Sequence, residues 1–431
     1  MSLLKMMFKQ KRAFSFNSTT QESDAAGLPG TSRKPPAYFY VILILIPFMF
    51  FFSTELLLSL SGYGRPYEQF IEVIPGKLML NPEIAKRYFY RNTTVPKPIE
   101  DLFSKKKPEN SFRVFILGEN CAAGFPYLPT SSFSRYLERR LKDEYSRSKI
   151  EVINMSIMAI NSYALRDFMP GILRQKPDVI LIYAGHNEYY GALGAASTLP
   201  PGRSRHLTNL MLYLERFRTV ELMSDFVTSI FRLFRHDRQF GIVSSEVTSD
   251  QEIPYNSRLF QEGVLQFEGN LRDILSMAQS SGVPVVLGTL VCNLKDQPPF
   301  ISSSGKDLPS AEETFIRALG KLKLNKTDEA DSLFRFARDL DMLRFRAPEE
   351  MNSVIKSLAR EFNFPLVKID SVFDSISPSG ITGNDLMTDH LHPNLYGYQM
   401  MGELFFEKMR DFGIVPKTEP PIALLKKNGW F

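Results

Sequence analysis

Only two cysteines, Cys121 and Cys292, occur in 431 residues, which excludes a disulfide-rich scaffold and a zinc site built on thiolates. Five histidines leave little material for a metal cluster, and no phosphate-cradling glycine loop is present, so neither a metal nor an organic cofactor is expected. A strong charge of one sign is missing too. The 52 Lys and Arg face 47 Asp and Glu, mixed along most of the chain, and no nucleic-acid partner is expected. Tryptophan is nearly absent, one residue against 35 Phe. At 44% hydrophobic and 23% charged, the composition is that of a globular protein.

The longest apolar run, AYFYVILILIPFMFFFST, covers residues 37–54 without a charge, and after Glu55 the segment LLLSL carries it to Leu60. Eighteen residues span about 27 Å as a helix, close to the ~30 Å hydrocarbon core of a bilayer. One transmembrane helix over 37–60 is therefore expected, with Tyr38, Tyr40 and Tyr63 at interfacial positions and Pro47 adding a modest kink. The 36 residues before the run, and the lack of a small-residue site after it, argue against a cleaved signal peptide. Residues 1–36 carry Lys5, Lys9, Lys11, Arg12, Arg33 and Lys34 against Glu22 and Asp24, so this tail is expected in the cytoplasm, disordered, with the rest exported. The tail holds about +4 of the net +5, and the exported part is nearly neutral.

Residues 61–110, with NTTVPKPIEDLFSKKKPEN at their end, read as a linker or irregular approach segment. Beyond them strand and helix alternate. FRVFIL (112–117), IEVIN (150–154), DVILIY (178–183), VPVVLGTL (283–290) and PLVKI (365–369) are apolar throughout, as strands buried on both faces must be. Helices are expected over 131–145, 260–279 and 349–362. The fold class is α/β: a three-layer, flavodoxin-like sandwich on a parallel five-stranded sheet, over 111–415, with a C-terminal tail at 416–431. Two insertions interrupt it. Residues 192–258 include the helical run LTNLMLYLERFRTVELMSDFVTSIFRLF, and the Phe and Tyr residues through 190–240 are expected in the core. Residues 296–348 contain two helices joined at Asn325, with Ala318, Ala330 and Ala337 at close-packing positions, which resembles a lone tetratricopeptide-like hairpin covering the sandwich.

Ligand chemistry in such a sheet belongs at the C-terminal strand ends. There the sequence reads Gly118-Glu119-Asn120-Cys121 after the first strand, Asn154-Met155-Ser156 after the second, Gly185-His186-Asn187-Glu188 after the third and Asp389-His390-Leu391-His392 after the fifth. In this order the blocks resemble those of the SGNH or GDSL hydrolase family. Within it the chain is similar to membrane-anchored bacterial members with a GHNE third block and an LRFRA segment like 343–347. The resemblance implies a hydrolase or acyltransferase acting on an acyl ester of an envelope glycan or lipid, held in the inner membrane. His392 would be the general base and Asp389 its orienting partner. The oxyanion would be held by the Asn187 side-chain amide and a backbone N–H near Ser156, where the family has glycine.

The family's nucleophilic serine is replaced by Asn120. A carboxamide nitrogen has a delocalised lone pair and no proton whose removal makes a useful anion. Three readings stay open: a catalytically inactive pseudoenzyme acting as a binding or scaffolding subunit of a membrane complex; a nucleophile displaced to Cys121; or water activated by His392 and Asp389 with help from Glu119. Against the second reading, Cys121 beside Ala122 and Ala123 reads as a small packed residue; a bond to Cys292 is conceivable, but the third strand should separate their strands. Gly185, His186 and Glu188 are expected around the cleft. Arg344 and Arg346 would either pair with Asp339 and Asp341 or bind an anion at its mouth. NLKDQPPF (293–300) would form a wall on the substrate side.

Overall fold

The unbroken apolar run at 37–60 folds as one helix in the computed structural model, which describes residues 36–64, 68–89, 95–196, 204–234, 252–303 and 308–417. This helix, α1 (Ala37–Leu60), has 24 residues, Pro47 inside it and no buried residue, and is long and apolar enough to cross a membrane. The expected tails, 1–36 and 416–431, lie outside the described residues except at their inner ends.

The segment read as a linker folds instead into a small antiparallel sheet. Its strands are β1 (Phe70–Ile74), β2 (Lys77–Leu80) and β3 (Phe103–Ser104), in the order β1-β2-β3. FIEVI and KLML flank Pro75-Gly76, and Gly76 takes a φ of +78°, so the turn closes a hairpin. A turn of 3-10 helix (Ile84–Arg87) follows, and Leu80, Ile84, Tyr88, Phe89 and Phe103 join the main core. The fully buried Arg113 fastens this sheet: its guanidinium donates to Ser104 O at 2.8 Å, Gln175 O at 2.6 Å and the Glu151 carboxylate at 2.6 Å.

The main sheet is formed by β4 (Ser111–Gly118), β5 (Lys149–Asn154), β6 (Val179–Tyr183), β7 (Val285–Gly288) and β8 (Leu366–Val367), all parallel, in the order β5-β4-β6-β7-β8. Between its strands run α2 (Asn120–Ala123), α3 (Phe133–Glu144) and α4 (Ser162–Arg174). The strand order reverses at β4, with β5 added on one side and β6, β7 and β8 on the other, so the crevice between β4 and β6 is the switch point where such sheets bind ligands. There Gly118 pairs with Tyr183, and a Cβ at Gly118 would lie 2.5 Å from Tyr183 O.

The first insertion contains α5 (Arg205–Leu214) and α6 (Arg218–Phe234), then α7 (Arg258–Ser280) returns to the sheet. The aromatics here are not all core: Tyr190 is buried, whereas Tyr213 and Phe226 are exposed. In the second insertion α8 (Ala311–Lys323) and α9 (Thr327–Leu340) form a helical hairpin turning at Asn325, φ +58°. Ala318, Ala330 and Ala337 are fully buried, and with Phe315 and Phe334 they make a separate cluster against Cys292, Leu294 and Ile381. α10 (Glu349–Glu361), α11 (Ile369–Ile376) and α12 (Leu395–Asp411) complete the layers.

Candidate active site

Asn120 opens α2 directly after β4, where the sheet delivers its first loop. Its side-chain oxygen is already engaged. Ala159 N–H donates to Asn120 Oδ1 at 2.7 Å and Asn187 Nδ2 donates to it at 3.2 Å. A backbone N–H can only donate, so it fixes which end of the carboxamide faces it. Asn187 is fixed in turn by a second bond from Nδ2 to Ile160 O at 3.2 Å. One backbone amide and one asparagine amide converging on one oxygen are the donors that stabilise an oxyanion in acyl transfer.

The second donor is Ala159, not the amide at Ser156. Ser156 N–H is spent on Asn154 Oδ1 at 3.0 Å, closing a local turn. Ala159 has φ +59°, the left-handed backbone that favours glycine, and here it carries a methyl group. Without a glycine, nothing in the sequence marks that turn.

His392 lies inside the last loop, directly before Pro393, whose bridge with Met387 closes it. Its Nδ1 lies 2.7 Å from Asp389 Oδ2, while Asp389 Oδ1 accepts from the backbone N–H groups of Leu391 at 2.9 Å and His392 at 2.8 Å. Burial works to raise the Asp389 carboxyl, but the bond and charge of His392 with those two amides hold it far below the usual carboxylate range. Nε2 of His392 is buried with no bond to any described residue. Cys121 Sγ donates to Leu391 O at 3.3 Å, so the loops of Asn120 and His392 touch through their neighbours. Phe125 packs on the His392 ring at 4.6 Å; Phe300 and Phe345 pack on His390 at 5.2 and 5.7 Å. Phe300 thus ends the expected wall at 293–300, Phe345 comes from the LRFRA segment and His390 from the last block, and Phe125 is the addition. Burial lowers His390 to about 4, against the opposing charge of Asp389.

The other expected site residues stand behind the cleft. Cys121 is 2% exposed, and burial followed by the charges of Glu119 and Asp389 pushes its thiol well above its ordinary range, so it is a packed residue rather than a displaced nucleophile. It forms no bond with Cys292; both are free thiols. Glu119 is buried, accepting from Gly185 N–H at 3.1 Å and Asn187 N–H at 3.0 Å, and both oxygens are committed, which removes it as a helper for water. Gly185 itself has φ +141°, and a Cβ there would meet Leu290 Cδ1 at 2.7 Å. His186 is buried with Nδ1 accepting from Ala347 N–H at 3.2 Å; burial, then the charges of His392 and His390, lowers it to about 3. Arg346 pairs with Asp341 at 3.1 Å and donates to the carbonyls of Asn293 and Gln297. Arg344 spends its guanidinium on the carbonyls of Ile253 and Asp339, not on the Asp339 carboxylate, which takes Arg338 instead. Both arginines are buried, and Arg346 Nε has no hydrogen-bond partner among the described residues. Among the described residues no group of His, Cys, Asp and Glu could hold a metal ion.

Glu188 is the second buried carboxyl, accepting from Ser162 N–H at 2.8 Å and Ser162 Oγ at 2.7 Å. Burial raises it from 4.5 to about 7 against those bonds, and burial with the charge of Glu188 raises Glu119 as well. A carboxyl raised in the folded state binds its proton more tightly there than in the unfolded chain. Its stabilisation is full below the unfolded value of 4.5 and is lost as pH rises through about 7. The thermal midpoint is expected to fall across that window, and Glu188→Gln to flatten the slope. An unchanged slope in the variant rejects Glu188 as its source.

A family model, GDSL-like Lipase/Acylhydrolase family, matches residues 116–400. Among solved structures, the chain is similar to Axe2, an acetylxylan esterase from Geobacillus stearothermophilus, at 14% identity and TM-score 0.37, over 72% of this chain and 100% of that one. It is similar also to the lipase/acylhydrolase from Enterococcus faecalis, at 16% identity and TM-score 0.35, over 71% of this chain and 99% of that one. No curated protein matches the sequence. With the family model covering most of the chain, from β4 into α12, the protein belongs to the GDSL-like lipase/acylhydrolase family.

Proposed function

We propose that this chain is a membrane-anchored, catalytically silent acylhydrolase homologue, whose cleft binds an acyl ester of an envelope glycan or lipid as a subunit of a membrane complex. One observation carries the reading: the two donors that would stabilise an oxyanion hold Asn120 Oδ1. A substrate carbonyl could use them only by displacing that oxygen, and no nucleophile stands in its place. The apolar helix and the basic tail before it support a single-pass arrangement in the inner membrane, N-terminus in the cytoplasm and main domain outside.

A second reading has its own support. Asp389 orients His392, whose Nε2 has no described partner and could take a proton from water, or from an acceptor hydroxyl in acyl transfer, for direct attack on the ester. Hydrolysis of a short-chain activated ester separates the two. The purified full chain is expected to match its His392→Ala variant. A His392-dependent excess defeats the silent reading and favours activated water.

A further inference from the structure

α5 is built inside out. Its polar side chains face the body: Arg205 Nε donates to Asn270 Oδ1 at 3.0 Å, its guanidinium pairs with Asp273, and Asn209 Oδ1 accepts from Arg166 at 3.3 Å. Leu212 turns inward to the core, but the other three leucines face outward. Leu207, Leu210 and Leu214, spaced to share one helical face, are 52%, 51% and 37% exposed. α6 continues the pattern with Met223 and Phe226, 63% and 65% exposed. A surface helix normally does the reverse, and apolar side chains presented outward on two consecutive helices mark an interaction surface.

The last turns of α1 say what that surface meets. Glu55 is the first charge after eighteen uncharged residues. Its carboxylate accepts from Arg218 N–H at 3.0 Å, Thr219 N–H at 2.8 Å and Thr219 Oγ1 at 2.9 Å, capping the start of α6. Arg218 Nη1 donates to Tyr63 O at 2.9 Å, and Tyr63 Oη donates to Asp225 Oδ2 at 3.0 Å. Glu55 closes the uncharged run of 37–54 and Tyr63 follows the last leucine of α1, the kinds of residue that settle at a membrane interface. Five bonds therefore fasten α6 at the level where hydrocarbon gives way to headgroups.

We propose that α5 and α6 lie on the bilayer surface, their outward leucines, Met223 and Phe226 inserted into the interfacial layer. This rests on the anchored reading above. The occupant is lipid rather than protein because the residues that fasten α6 follow in the chain on the apolar segment 37–54, Glu55 directly and Tyr63 just past the end of α1.

The test uses the full chain in phosphatidylcholine vesicles, with an environment-sensitive fluorophore on Leu210→Cys or Met223→Cys and nitroxide-bearing lipid as quencher. Leu207→Cys and Phe226→Cys serve if either fails to fold. Ile316→Cys, on the exposed side of α8, and Phe48→Cys, inside α1, are controls. The unsubstituted chain, with both cysteines buried, gives the blank. Labels at 210 and 223 are expected to be quenched as groups ~5–10 Å into the interface are, with 316 unquenched. Quenching at 48 alone overturns the proposal and leaves the anchor standing; no quenching at 48 removes both. Labels at 210 and 223 shielded from water yet unquenched by lipid overturn it in favour of a protein partner.

Discussion

Asn120→Ser is expected to produce an esterase from this chain. The substitution adds a hydroxyl beside the loop of His392, and it frees Ala159 N–H and the Asn187 amide from the oxygen they now hold. General-base assistance contributes ~10²–10⁴ and a single oxyanion donor ~10²–10³. Turnover of a short-chain activated ester should therefore rise at least ~10²-fold over the parent, and Asn120→Ser with His392→Ala should lose it. Asn120→Ala supplies the control: it empties the donors without adding a nucleophile and is expected to stay silent. A silent serine variant that binds the ester normally would reject the view that residue 120 alone disarms the cleft.

Arg346→Ala is expected to bring the largest loss of stability among single changes around the site. The pair with Asp341 is buried at both ends, side chains 3% and 2% exposed, and the same guanidinium satisfies the carbonyls of Asn293 and Gln297. Removing one partner leaves a buried charge and two buried acceptors, at a cost of ~3–5 kcal/mol. Asp341 also accepts from the N–H groups of Phe300 and Ile301, so the wall carrying Phe300 should loosen with it. Thermal unfolding of the detergent-solubilised chain, followed by circular dichroism, reads the effect. Arg346→Lys should recover little, since an ammonium cannot serve the carboxylate and both carbonyls in the plane of a guanidinium. A variant as stable as the parent would show the pair to be dispensable.

The sheet was legible because five apolar runs, each followed by a loop of polar residues, admit few arrangements besides a covered parallel sheet. His392, Asp389 and Asn187 were legible for the same reason: they follow strand ends at motif spacing. Ala159 was not, because left-handed backbone is announced by glycine and here carries a methyl group. The hairpin of β1 and β2 was hidden by the prolines and lysines after it, although Pro75-Gly76 between two apolar stretches was a usable signal. The outward faces of α5 and α6 were beyond the sequence, since spacing shows that a helix has an apolar side and not which way it turns.

The Glu119 bonds to the amides of Gly185 and Asn187 bear on how such a protein evolves. Neither passes through residue 120, so these two bonds stand whatever side chain is there, although the Asn120 oxygen itself accepts further bonds from Ala159 and Asn187. Residue 120 can therefore change with that loop still held, whereas a change at 119 that removes the carboxylate takes both bonds away.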